Sequence, residues 1–255
     1  MTTDVKRYLR SGIPPIPFCP GCGYWLLMRL ILTAIDKLGL NIDDMLFVSG
    51  IGCAAWIPSP HFNADTLHTL HGRAIAFATG AKMFNPKLNV MVISGDGDIA
   101  DIGGNHLIHA ARRNVDLAVI CANNMCYGMT GGQVCSTTPK DAITRTTSKG
   151  NPYYPFDLPK LVEAAGAAYV ARYVVTQSSE LINSIKKALQ IEGFSFIEVV
   201  SPCPTQFGRL NRLDTPKATL DFVKNRCITK GEAESLSPEE LKDKIITGEF
   251  SSGRN

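Results

Sequence analysis

No stretch of this sequence stays apolar for long enough to cross a bilayer, so no helical membrane span is expected. The first ten residues, Met1 to Arg10, hold no apolar run of the kind a secretory signal needs; a cytoplasmic chain without a signal peptide is expected. Charge of one sign is also missing. Against 26 Lys and Arg stand 23 Asp and Glu, a formal net charge of +3, whereas nucleic-acid binding requires a concentrated basic face. No internal repeat is visible. Cysteine is not scarce: there are eight. Without an export signal they argue against a disulfide scaffold and for metal or redox use in a reducing compartment. With 255 residues, 45% of them hydrophobic, the chain is long enough for one large core.

Apolar runs and amphipathic stretches alternate along the chain. Tyr24 to Leu38 is apolar around most of its circumference and predicts a buried helix. Strands are expected at Leu46–Ser49, Val90–Ile93, Leu117–Cys121, Ala168–Val174 and Ser195–Val200. Helices are expected over Gly72–Phe84, Asp101–Arg113, Pro159–Ala165 and Ser179–Ile191. This order predicts an α/β fold, a doubly wound and mostly parallel sheet flanked by helices. Residues 1–22 read as irregular and rich in Pro. Tyr127 to Asn151 is a long polar connection, and connections of that length are functional or disordered. The division expected is a core domain over 1–204 and a polar, partner-docking extension over 205–255, in which Ser235 to Thr247, opened by a Ser-Pro-Glu-Glu helix start, is expected as an exposed helix or docking arm.

Ligands bind such sheets at the carboxyl ends of the strands. Gly50-Ile51-Gly52-Cys53, Gly95-Asp96-Gly97-Asp98 and Asn123-Asn124 all fall there, and Cys203 follows the last strand. An acid and an amide at neighbouring strand ends form a hard oxygen donor set suited to Mg²⁺ and phosphate. Flanking glycines let a diphosphate approach the backbone. Asp96 could instead cap the following helix. Cys19-Pro20-Gly21-Cys22 places two thiols on a tight turn; with Cys53 and Cys203 they could hold a structural zinc or a [4Fe–4S] cluster. One close pair with two distant singles is the looser arrangement of a buried cluster. Cys121, Cys126, Cys135 and Cys227 read as small buried hydrophobes, with Cys126 also of interest for its backbone carbonyl. His106 and His109 on one helix, and Arg145 and Lys149, have bland readings as core or solvated side chains.

The order Gly-Asp-Gly, about thirty residues, then Asn-Asn resembles the thiamine-diphosphate signature. Together with Cys19–Cys22, Gly50–Cys53, His71-Gly72-Arg73-Ala74, Gly103-Gly104-Asn105-His106 and Tyr127-Gly128-Met129-Thr130-Gly131-Gly132-Gln133, the chain resembles the β subunits of 2-oxoacid:ferredoxin oxidoreductases. The resemblance implies a thiamine-diphosphate-binding fold. It also implies an enzyme using thiamine diphosphate, Mg²⁺, a [4Fe–4S] cluster and coenzyme A, with electrons passed to ferredoxin. Carried over by residue, Asp96, Asn124 and the carbonyl of Cys126 would bind Mg²⁺, and the Gly95, Asp96, Gly97, Asp98 turn, with His71 and Thr130, would hold the diphosphate. Gly52, Cys53, Gly128 and Met129 would line the cofactor, and Cys19, Cys22, Cys53 and Cys203 would ligate the cluster. The glutamate that activates the cofactor belongs to a partner α subunit in this family; γ and δ subunits are further partners. No residue here replaces that glutamate, so the chain alone is expected to be inactive.

Within the family, the short chain and the Tyr127–Gln133 stretch look most like the 2-oxoglutarate branch, with pyruvate and branched-chain 2-oxoacids as alternatives. A non-redox thiamine decarboxylase subunit would not need four gathered thiols. A zinc-stabilised, non-enzymatic subunit would bind no thiamine diphosphate.

Overall fold

The computed structural model describes residues 4–13 and 17–252. The Pro14-Pro15-Ile16 part of the irregular N-terminal segment lies outside the described residues, as do Met1 to Thr3. The chain runs α1 (Tyr24–Leu38), β1 (Met45–Ser49), β2 (Asp65–His68), α2 (Ala74–Phe84), β3 (Asn89–Gly95), α3 (Gly104–Arg112) and β4 (Leu117–Asn123). After the long polar connection come α4 (Leu158–Ala165), β5 (Tyr169–Val174), α5 (Ser178–Ala188), β6 (Phe194–Val200), α6 (Pro216–Arg226), β7 (Cys227–Thr229) and β8 (Ile245–Ser252). Among the described residues, no helix is long and apolar enough to cross a membrane.

Eight strands form one sheet in the order β2-β1-β3-β4-β6-β5-β8-β7. Every pairing is parallel except β5 with β8. β4 and β6 are buried at every position. Their sequences are mostly apolar rather than alternating because both faces are covered, with Asn123, Ser195 and Glu198 as buried polar exceptions. On one face α1 and α5 close a core around Leu27, Ile31, Ile35, Leu181 and Ile185 over Met91, Ile120 and Ile197. On the other, α2, α3 and α4 contribute Ile75, Leu107 and Val162 over Val92, Val119 and Phe196. The doubly wound α/β sheet read from the sequence is the fold observed.

The consequence for function is the adjacency of β1, β3, β4 and β6. Their carboxyl ends lie side by side and carry Gly50–Cys53, Gly95–Asp98, Asn123–Gly128 and Ser201–Cys203 to one edge. The helix expected from Asp101 starts later: Gly97–Ile102 form a π-helical turn, closed by the amide of Gly103 donating to the Asp98 carbonyl at 3.0 Å. Such turns are inserted residues and concentrate at functional sites.

β2, α6, β7 and β8 are not among the elements expected from the sequence, and the helix that begins near Ser235 is shorter than expected. β2 is an edge strand with exposed or half-exposed side chains and carries no apolar run. The Ser235–Thr247 stretch forms one helical turn, Pro238–Leu241, held by a Ser237–Glu240 capping box. It buries no residue, and an isolated turn does not propagate without a packed face. Ile245-Ile246 then enters β8, which pairs with β5, so part of the C-terminal extension completes the sheet.

Candidate functional site

Asp96 follows β3 directly and is 2% exposed. Its Oδ2 accepts from the Cys135 thiol at 3.2 Å and from the Thr137 hydroxyl. Burial raises its pKa to about 6, against those two donors, which lower it. With Oδ2 engaged, Oδ1 faces the end of β4. There one end of the Asn124 side-chain amide lies 3.2 Å from Asp96 Oδ1 and 2.7 Å from the carbonyl oxygen of Cys126. With its nitrogen at that end, the Asn124 amide donates to both oxygens. With its oxygen at that end, Asn124 completes a set of three oxygens with Asp96 and Cys126. Octahedral Mg²⁺ at 2.0–2.1 Å from each ligand holds neighbouring oxygens about 2.9 Å apart, and the two separations bracket that value. The donor set and its spacing fit a small hard cation.

The turn that makes this possible is held from several sides. Met125 sits in the left-handed region at φ 65°, a costly conformation for a side chain of its size. The Asn123 Oδ1 accepts from the Met125 amide at 2.9 Å, and Thr138 donates to the Met125 carbonyl at 2.7 Å. The long polar connection is thus pinned over Asp96 by Cys135, Thr137 and Thr138.

Asp98 serves the surrounding frame. Its carboxylate accepts from the amides of Ile51 (3.1 Å) and Gly72 (2.8 Å), the Ser94 hydroxyl (2.7 Å) and His71 Nδ1 (2.5 Å). It ties the β1 loop, the start of α2 and β3 together. A carboxylate against Nδ1 keeps a proton on that nitrogen and leaves Nε2 facing away from Asp98. Tyr127 covers Gly97, where an added Cβ would come within 2.5 Å of the tyrosine ring, and its hydroxyl donates to Asp101 at 2.7 Å.

One cavity of about 160 Å³ gathers every cofactor residue expected from the sequence: Gly52, Cys53, His71, Gly95, Asp96, Gly97, Asp98, Asn124, Cys126, Gly128, Met129 and Thr130. Tyr24, Ile51, Ala54 and Tyr127 complete its wall. Ile51 and Met129, 41% and 50% exposed, rim its mouth. His106, half-buried, and His109, exposed, lie on α3 outside this cavity. Arg145 is exposed and donates to the Gly131 carbonyl. Cys135, read as structural, is buried and contacts Asp96 directly; nothing in its sequence neighbourhood marked that contact.

The thiols of Cys19, Cys53 and Cys203 all lie near enough to Cys22 to act on it electrostatically, and those of Cys19 and Cys203 act on Cys53. Burial pushes Cys22 up to about 12, and the thiols of Cys203, Cys53 and Cys19 add to it; burial likewise pushes Cys53 up to about 11. Cys203 is held below the ordinary thiol range by a hydrogen bond with Cys126 and by the backbone amides of Phe207, Gln206 and Thr205. Among the described residues, no three His, Cys, Asp or Glu side chains are drawn onto one point as a single ion requires. Gly128 lies between the two groups: an added Cβ there would be 3.0 Å from Asn124 Nδ2, 3.7 Å from Cys53 Sγ and 3.8 Å from Cys203 Sγ. The oxygen site and the thiols are therefore separated by one residue without a side chain.

The family described as "Thiamine pyrophosphate enzyme, C-terminal TPP binding domain" matches residues 50–199, the span that starts where β1 ends, runs from β2 into β6 and holds every cavity residue but Tyr24. The domain is thus of the thiamine-pyrophosphate-binding class. The chain is 50% identical to 2-oxoglutarate synthase subunit KorB of Methanothermobacter marburgensis, over 96% of this chain and 85% of that protein. It is 36% identical to 2-oxoglutarate oxidoreductase subunit KorB of Mycobacterium tuberculosis, over 74% of this chain and 50% of that protein. A solved 2-oxoglutarate:ferredoxin oxidoreductase from Magnetococcus marinus, with 2-oxoglutarate, coenzyme A and succinyl-CoA bound, superposes with a TM-score of 0.87 at 32% identity, covering 99% of this chain and 86% of that one. The chain belongs to the family of 2-oxoacid:ferredoxin oxidoreductase β subunits, in its 2-oxoglutarate (KorB) branch, and is a subunit of an oxidoreductase.

Proposed function

We propose that this chain is the cofactor-bearing β subunit of a cytoplasmic enzyme that oxidatively decarboxylates 2-oxoglutarate to succinyl-CoA and CO₂ and passes the electrons through a [4Fe–4S] cluster to ferredoxin. The observation that carries it is the junction at Gly128, where a three-oxygen cation site and a set of neighbouring thiols meet across one residue. Relatives named for 2-oxoglutarate at 50% identity support the substrate.

When bound, thiamine diphosphate supplies a carbon nucleophile and an electron sink for decarboxylation of a 2-oxoacid. Asp96, Asn124 and the Cys126 carbonyl would hold Mg²⁺. The Gly95–Asp98 turn would receive the diphosphate, with His71 Nε2 and Thr130 as further polar groups, and Gly52, Gly128 and Met129 would line the ring. Asp98 keeps the His71 proton in place rather than contacting the ligand, since four donors already occupy it. Cys19, Cys22, Cys53 and Cys203 would ligate the cluster. A cluster is wider than a single ion and takes thiolates that do not share one point, and Cys203 is the one already favoured as an anion. The activating carboxylate comes from an α subunit. Exposed Ile51 and Met129 at the cavity mouth support a partner chain there. The extension over 205–255 stands in the same proposal as a docking segment for another subunit, supported by its exposed Lys230–Lys244 stretch.

The test is viologen reduction by the chain co-expressed with its partner subunits and purified without oxygen, with coenzyme A and 2-oxoglutarate, pyruvate or 2-oxoisovalerate. Fast reduction with 2-oxoglutarate alone is expected. Preference for another acid would change the substrate. No reduction with any acid by cluster-replete protein would point to a non-redox thiamine enzyme. The β chain without its α subunit is expected to show no turnover, and a normal rate from it would overturn the missing-carboxylate assignment.

A further inference from the structure

A chain of buried polar groups leaves the cation site on the side away from the cavity. Asn123, Glu198 and Arg172 are 6%, 2% and 8% exposed and sit on three adjacent strands, β4, β6 and β5. Asn123 Nδ2 donates to Glu198 Oε1 at 2.6 Å, and Arg172 Nε donates to Glu198 Oε2 at 2.6 Å. Arg172 NH2 donates to Asp157 at 2.6 Å, and its NH1 lies 3.4 Å from the Ile246 carbonyl on β8. Stability does not call for this arrangement. A buried ion pair is often matched or bettered by apolar side chains of similar volume, and Val170, Phe196 and Cys121 pack on the same face of the sheet.

What the pair does is select one orientation of an amide. Asn123 offers an oxygen on one side and an NH₂ on the other. A carboxylate against Nδ2 leaves only Oδ1 to meet the Met125 amide, at 2.9 Å. With the amide turned over, two donors would face each other and the cap on Met125 would be lost. That cap holds the left-handed Met125 turn, and the turn aims the Asn124 amide oxygen and the Cys126 carbonyl at Asp96. We infer that Glu198, held in place by Arg172, is a positioning residue for the cation site: through Asn123 it fixes the turn that presents two of the three oxygen ligands. This rests on the cation site proposed above. Residues that orient metal ligands typically change affinity 10–100-fold when removed.

The test uses the assembled enzyme, stripped of divalent ions and saturated with thiamine diphosphate. Mn²⁺ is titrated and the free ion is followed by room-temperature EPR. Glu198→Leu combined with Arg172→Met removes both charges at similar volume. This variant is expected to fold and to bind Mn²⁺ about tenfold or more weakly. Asp157→Asn weakens only the far end of the network; it is expected to lower the melting temperature while leaving Mn²⁺ affinity within twofold of wild type. Asn123→Ala keeps the ion pair and removes the cap, and is expected to show the same tenfold loss, which covers failure of the double variant to fold. Wild-type affinity in Asn123→Ala or in the folded double variant overturns the inference. An equal loss in Asp157→Asn also overturns it, because the effect would then follow stability. If the wild-type enzyme takes up no Mn²⁺, the cation site itself falls.

Discussion

The strand-end edge and the C-terminal segment are built on opposite principles. At the edge, each important side chain is held by partners far along the chain: His71 by Asp98, Thr137 by Asp96, Asn123 by Glu198. Between Thr229 and Lys244, before β8 joins the sheet, the chain is held by local contacts. Thr229 and Glu232 form one capping box, Ser237 and Glu240 another, each spanning three residues and exposed. The edge sets atomic positions through buried, over-determined contacts, whereas the Thr229–Lys244 segment sets only a path for the chain. Substitutions at the edge should therefore change chemistry abruptly, and those in the tail should change local stability slightly.

The largest effect expected is from Asp96→Ala. Removing a direct ligand should weaken thiamine-diphosphate-dependent Mn²⁺ binding beyond the roughly hundredfold limit typical of outer-shell changes, and turnover should be lost with it. Retained Mn²⁺ affinity would break the comparison at its strongest point. Cys203→Ser should separate the two halves of the site. Iron, acid-labile sulfide and viologen reduction should fall together while Mn²⁺ affinity stays near wild type; normal iron content would remove Cys203 from the ligand set. Gly50→Ala would drive a methyl into the Asp98 carboxylate. Overpacking of this kind costs about 1–3 kcal/mol, read as a lower melting temperature, and an unshifted one would show that the edge is softer than its contacts indicate. Smallest is Ser237→Ala. Losing that cap should cost about 1 kcal/mol, visible as faster hydrogen exchange confined to the turn that follows. A fall in turnover there would tie the tail to the site.

The same contrast explains what could be read beforehand. β3, β4 and β6 announced themselves because burial on both faces leaves mostly apolar residues. The Gly-Asp-Gly and Asn-Asn positions were legible because sheet topology sends strand ends to one edge. Thr137, Cys135 and Glu198 were not, since their partners lie 41, 39 and 75 residues away and no spacing rule reaches that far. Asp98 was grouped with the diphosphate turn because its neighbours are glycines; its four donors come from three other segments. In the tail the error had the opposite sign. The Ser-Pro-Glu-Glu start was read correctly and then extended too far, because a cap signals where a helix begins and says nothing of whether a core will carry it on.

The π-helical turn after Asp96 has a consequence for which insertions and deletions the gene can accept. Loops ordinarily tolerate changes of length. Residues 97–102 should not, because the extra residue in this turn sets the rotational phase between Asp98 and α3. Deleting one residue would turn the flanking side chains by roughly 100° relative to each other, the rotation of one helical residue. Asp98 would then no longer face the Ile51 and Gly72 amides with α3 still seated on the sheet. Length at this one spot should be as strictly kept as the identity of the aspartate beside it.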